Sequence, residues 1–111
     1  MIFITQGRYT REAMAGMVAK PEDRGKEAQK LIEAAGGKFL GSYFTFGDYD
    51  FAVISEFDDV GSVTPALIAA AAGGSLSDFK TTVGMRWEEG RKAFDKAGKL
   101  AKSFRSAGQK K

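Results

Sequence analysis

The stretch of this chain most able to do chemistry is Phe46-Gly47-Asp48-Tyr49-Asp50-Phe51. Gly47 can supply the positive φ that a tight turn needs, and Asp48 is a frequent partner in such turns. Tyr49 and Asp50 would then offer a phenol donor and a carboxylate at the mouth of an apolar pocket, where a carboxylate of raised pKa could polarise a small substrate. Strand neighbours point to opposite faces, which weighs against one shared site and for Asp50 accepting backbone N–H groups at the turn. Arg8, followed by Tyr9 and Thr10, ends the first apolar segment and could fork onto a carboxylate ligand. Tyr9, Tyr43, Thr45, Thr81 and Trp87 are further candidates to line a cavity, although aromatic residues at strand spacing are more often plain core.

Much other chemistry is excluded by composition. The 111 residues contain no cysteine and no histidine. Thiolate nucleophiles, disulfides, Cys/His zinc sites, imidazole acid–base chemistry and histidine-ligated haem are therefore absent. Any proton transfer would fall to a carboxylate or tyrosine, or to the substrate's own reactivity. Asp48, Asp50, Glu56, Asp58 and Asp59 lack the loop spacing of a cation site, so no metal is expected. No glycine-rich nucleotide signature occurs, and no cofactor is expected. The opening residues carry no signal-peptide pattern and no segment reaches a membrane span, so the expected location is cytoplasmic.

These candidates need elements to hold them. With 43% apolar and 28% charged residues the chain suits one small domain with a real core. Met1 to Arg8 reads as a strand, and residues 11–19, after Thr10 as a cap, read as a helix. Pro21, Glu22 and Asp23 suggest a first helical turn for a second helix running to Ala35, with Ala28, Leu31, Ile32 and Ala35 inward and Gly36-Gly37 as its stop. Lys38 to Phe46 and Tyr49 to Phe57 form a hairpin about Gly47-Asp48. Asp58 or Asp59 caps a third helix through Ala72, its inward side Val60, Val63, Leu67, Ile68 and Ala71, with Pro65 shortening or kinking it. Ser75 to Trp87 alternates as the last strand.

The order βαββαβ predicts an α+β fold of ferredoxin-like type, an antiparallel sheet with both helices on one face. By alternation Phe39 and Tyr43 share one side of the second strand and Leu40, Phe44 and Phe46 the other, while Ala52 and Ile54 oppose Phe51, Val53 and Phe57. Both faces are apolar, and helices cover only one. A second copy of the chain is the simplest cover, enclosing a core and a pocket at one end.

Tyr9-Thr10, then Leu31-Ile32-Glu33-Ala34-Ala35-Gly36-Gly37-Lys38, then Phe44-Thr45-Phe46-Gly47-Asp48-Tyr49-Asp50-Phe51 resemble the GYD family of small bacterial proteins over roughly residues 1–90. Gly47, Tyr49 and Asp50 carry the triplet that gives that family its name. The resemblance implies a homodimeric α+β barrel. Its wider fold relatives include cofactor-independent oxygenases, isomerases, haem-handling enzymes and ligand-binding regulator domains. The chain departs from the family pattern at Pro65 and in its basic tail.

Residues 91–111 form a separate segment with eight basic residues against Asp95, a charge of +7, while residues 1–90 carry −4. From Arg91 the tail reads as an amphipathic helix with Ala93, Phe94, Ala97, Leu100, Ala101 and Phe104 on one side and basic residues on the other. It could dock on a neighbouring subunit, lie on an anionic membrane or contact nucleic-acid phosphate. The sheet could imitate an RNA-recognition surface through Tyr49-Asp50-Phe51, but the basic-glycine signature is missing and Asp48, Asp50 and Glu56 repel phosphate, so no specific nucleic-acid partner is expected. The expected function is a homodimer, or a higher homo-oligomer, binding a small apolar or aromatic molecule. The alternatives are a cofactor-independent oxygenase or isomerase using Tyr49, Asp50 and Arg8, and an assembly protein acting through the basic helix.

Overall fold

A computed structural model describes residues 1–108. The elements are β1 (Ile2–Tyr9), α1 (Arg11–Ala19), α2 (Arg24–Ala34), β2 (Lys38–Phe44), β3 (Phe51–Glu56), α3 (Val60–Ala72), β4 (Leu76–Gly84) and α4 (Trp87–Ala101). The sheet is antiparallel with strand order β2-β3-β1-β4, the ferredoxin-like arrangement expected from the element order.

Directly paired residues share a face, so the register fixes both sides of the sheet. Phe3, Thr5 and Gly7 of β1 lie on the helix side with Ser55, Val53 and Phe51 of β3 and with Val83 and Thr81 of β4. Phe3, Phe57, Ile32, Val63 and Ala66 form the buried core between sheet, α2 and α3. Ile2, Ile4, Ala52 and Ile54 occupy the opposite face, which no helix covers. In β2 the register slips between Phe39 and Gly41, leaving Leu40 as an extra residue. That bulge puts Phe39, Ser42 and Phe44 on the helix side and Tyr43 on the open face, whereas simple alternation pairs Phe39 with Tyr43.

Local chemistry explains most boundaries. Thr10 caps α1 by accepting from the Ala13 N–H. Asp23 caps α2 through the Gly25 N–H, so α2 starts after Pro21 and Glu22 rather than on them. Its end is a Schellman motif, with Gly36 at φ +89° and the Gly37 N–H donating to the Ile32 carbonyl. Gly37 also passes under the Phe57 ring so closely that any Cβ would collide with it. Asp59 caps α3 with bonds from the Ser62 N–H and hydroxyl, and these hold its carboxyl below the usual range.

Pro65 does not end or shorten α3, which continues to Ala72. Proline lacks the donor for the carbonyl four residues back, that of Gly61, so one helical bond is missing inside an otherwise continuous helix. Thr64 meanwhile donates its hydroxyl to the Val60 carbonyl. Val63 and Leu67 face inward as expected and Ala66 joins them, whereas Val60 and Ile68, also expected inward, are exposed.

The last strand stops at Gly84 instead of reaching Trp87, and the helix expected from Arg91 begins at Trp87. Just past the strand end the Arg86 guanidinium forks onto the Glu56 carboxylate at 2.8 and 3.3 Å, tying the start of α4 to β3. Among the described residues α4 buries none of its side chains. It leaves the body, and the molecule extends 64 Å along its long axis against 31 and 21 Å across.

Candidate functional site

A cavity of about 570 Å³ opens between the helix side of the sheet and α1, α2 and α3. Its walls are mainly apolar, with Leu31 and Ile32 from α2, Val63, Ala66 and Ala70 from α3, and Phe51 and Phe79 from the sheet. The space exists because α2 and α3 turn alanine toward it, at Ala28, Ala66, Ala69 and Ala70, where larger side chains would close it. Two apolar sheet faces point to a pocket between paired sheets. This cavity lies on the opposite side, within one chain.

Three hydroxyls interrupt the apolar floor. Ser55 is 3% exposed and makes no side-chain hydrogen bond among the described residues, so its hydroxyl is left to the cavity it lines. Thr5 is also buried and sits 3.3 Å from the Thr81 hydroxyl. Ser42 lines the cavity beneath the first turn of α2, where a Cβ on Gly25 would approach its Oγ to 2.6 Å. Among the described residues no buried side-chain polar atom is sealed off without a hydrogen-bond partner, so the Ser55 hydroxyl is open to water or a ligand in the cavity.

The mouth is polar and net acidic. Glu22, Asp23, Arg24 and Glu27 stand at the rim, and Arg24 is already paired with Glu22 at 3.2 Å. Tyr9 lines the same region, its ring packed on Phe51 with centroids 5.3 Å apart. Burial pushes the Tyr9 phenol up; Arg24 offsets part of this, and Asp50 and Glu22 add to the rise. At neutral pH the phenol is therefore protonated and can donate.

Of the residues singled out from sequence, Tyr9 lines the cavity; Tyr43 reaches its edge although the β2 register turns its side chain to the open face, and Arg8, Tyr49, Asp50 and Trp87 do not line it. The Gly47-Tyr49-Asp50 triplet sits in the six-residue connection 45–50 between β2 and β3, longer than the expected two-residue turn. Gly47 holds φ +120°. The Asp50 carboxylate accepts the Tyr9 backbone N–H at 3.0 Å, and its own N–H donates to the Gly7 carbonyl at 2.8 Å. Arg8 donates Nε to the Asp48 carbonyl and lies 6.0 Å from the Tyr49 ring centroid. Thr45 donates its hydroxyl to the Tyr49 carbonyl. The triplet thus fastens the connection to the end of β1, immediately beside the cavity residue Tyr9.

Trp87 is elsewhere. Gly84, three residues before it, pairs with Ile2, whereas Tyr9 pairs with Leu76 at the other end of β1. Sequence reasoning misses Ser42 and Ser55 and gives Thr5 no role, although each is a hydroxyl at an inward position among aromatic and branched residues, a break in pattern that the sequence displays. Among the described residues no group of three or more carboxylates gathers where a metal ion could be held, and no helix is long and apolar enough to cross a membrane.

Fold and site together define a small α+β protein of ferredoxin-like topology with an internal apolar cavity on the helix side of its sheet. Residues 3–94 match the family model of the GYD domain, and the chain belongs to that family. Among solved structures, it is similar to TTHA0845 from Thermus thermophilus, with 15% identity, 77% of this chain and 92% of that chain covered, and a TM-score of 0.48. It is also similar to the hypothetical protein PHS023 from Pyrococcus horikoshii, with 15% identity, coverage of 78% and 92%, and a TM-score of 0.46. A search of curated proteins finds no match.

Proposed function

We propose that this GYD-domain protein is a homodimer that binds one small, largely apolar or aromatic molecule per chain in the cavity between sheet and helices. The observation that carries the reading is Ser55: an inward hydroxyl without a protein partner on the floor of an apolar space of about 570 Å³. Ser42, Thr5 and Ser55 suit an uncharged hydroxyl or carbonyl group at the deep end. The acidic rim disfavours a carboxylate ligand, because Glu22, Asp23 and Glu27 outnumber the already paired Arg24. Tyr9 supplies one further donor at the mouth.

The dimer rests on the open face, where Ile2, Ile4, Ala52 and Ile54 form an apolar patch bordered by the 64%-exposed Tyr43. A second sheet packed on that patch would leave both cavities accessible from the helix side. Native mass spectrometry of the full-length protein purified from its own host tests both parts. A dimer carrying a discrete extra mass that Ser55→Leu removes is the expected result. A monomer would sink the dimer, and a bare protein that takes up neither neutral naphthols nor other uncharged aromatics would sink the binding site.

A further inference from the structure

We propose that α4 is an interfacial anchor that docks this protein onto an anionic lipid bilayer. The helix has fifteen residues and buries none of them against the body. A helix of this length is marginal in water on its own and normally depends on covering an amphipathic face. On a helical projection Trp87, Phe94, Ala97, Leu100 and Ala101 fall on one stripe of about 140°, continued by Phe104 just beyond the helix end. Its large members are exposed, Trp87 at 85% and Phe94 at 73%.

Charge decides what covers the stripe. Arg91 and Lys102 border it on one side and Lys96, with Glu89, on the other; Lys92 and Lys99 occupy the polar face with Glu88 and Asp95. An apolar stripe of tryptophan, phenylalanine and leucine with basic residues along both borders matches a helix lying flat at the level of anionic headgroups. The body of a second copy offers no such complement. α3, which exposes Val60 and Ile68, contains no ionisable residue at all. The open sheet face carries Lys38, Lys80 and Arg8, and its Glu56 is already held by Arg86. Asp58 and Asp59 stand only at the N-terminal end of α3, where Asp59 is held by Ser62, so neither apolar surface offers a row of free carboxylates for the lysines of α4. The proposal is independent of what the cavity holds.

Trp87 is the only tryptophan in the chain and sits in the first turn of α4, so its emission reports on the anchor alone. The full-length protein is titrated with phosphatidylcholine vesicles, with and without about 30% phosphatidylserine. The expected result is a blue shift on the anionic vesicles, with binding at least about tenfold weaker on neutral ones and on anionic ones at high salt. Phe94→Ser should weaken binding about tenfold or more while leaving the circular dichroism of the body unchanged, since α4 does not pack on it. Equal binding to neutral vesicles, or no shift on any vesicle, overturns the proposal. So does an emission already blue-shifted in buffer that reddens on dilution, which would assign the stripe to a second copy. A response to RNA in place of lipid overturns it as well.

Discussion

The Asp50 carboxylate and the Tyr9 backbone N–H, forty-one residues apart in sequence, are joined by a 3.0 Å hydrogen bond that locks the β2–β3 connection to the end of β1. The most acid-looking residue of the chain's characteristic triplet thus acts on backbone, and through Tyr9 it sets the position of a cavity wall. Removing the acceptor leaves the Tyr9 N–H unsatisfied. Asp50→Ala should cost about 1–2 kcal/mol in chemical denaturation. Asp50→Asn keeps an acceptor oxygen and should stay close to wild type; a loss as large as that of the alanine variant would show that the negative charge matters. If a turnover is found for this protein, it should survive Asp50→Asn.

Filling the cavity should separate binding from folding. Ala70→Leu, projecting from α3 into the space, should abolish uptake of an uncharged aromatic ligand and raise stability by about 1 kcal/mol through added apolar burial. Calorimetry with and without ligand checks both. A variant that binds normally would move the site away from this cavity.

Gly37 should tolerate nothing larger. Gly37→Ala forces a Cβ into the Phe57 ring, at the buried centre of the core, and should destabilise the fold by about 1–3 kcal/mol. Gly16→Ala, where no atom lies within 4 Å of the new Cβ, is the control and should be neutral or stabilising in the same thermal unfolding assay.

Pro65→Ala should stabilise α3. It restores a donor for the Gly61 carbonyl inside a continuous helix, a gain of about 1–3 kcal/mol by the usual penalty for internal proline. A loss of stability would mean that the ring itself packs usefully.

Acidification should release the start of α4. The Arg86 fork holds the Glu56 carboxyl below the usual carboxylate range, and Glu56 in turn holds the guanidinium up. A depressed carboxyl favours the tethered state above its ordinary pKa, and that contribution disappears as pH falls through the folded value, which lies below the ordinary carboxylate range. Protection of the Gly90 N–H, which donates to the Arg86 carbonyl, should fall relative to its intrinsic exchange rate in that range, and Glu56→Gln should show the low protection at every pH.

The fold is readable because its punctuation is chemical. Thr10, Asp59 and Gly36-Gly37 mark helix ends by capping groups that work within a few residues, and inward positions in β3 repeat every second residue. What escapes is set by distant partners. The Leu40 bulge answers to pairing with β3 and flips the downstream residues of β2, so alternation wrongly puts Phe39 and Tyr43 together. Trp87 fits the alternation of β4, yet the strand ends at Gly84 and Arg86 pairs with Glu56, thirty residues earlier, a partner no local pattern shows. In the candidate site the conspicuous aromatics draw attention, whereas the cavity depends on what is small, the alanines of α2 and α3 and the three floor hydroxyls.

The two helical walls of the cavity are unequal in mechanical terms. α2 is clamped at both ends, by Gly25 seated on Ser42 and by Gly37 wedged under Phe57, while α3 grips the sheet mainly through Val63 and Ala66 near its middle. α3 is therefore the wall held by fewer close contacts. The width of the opening can change without breaking a single strand pair, so ligand size should be read out as a tilt of α3 against an unmoved sheet.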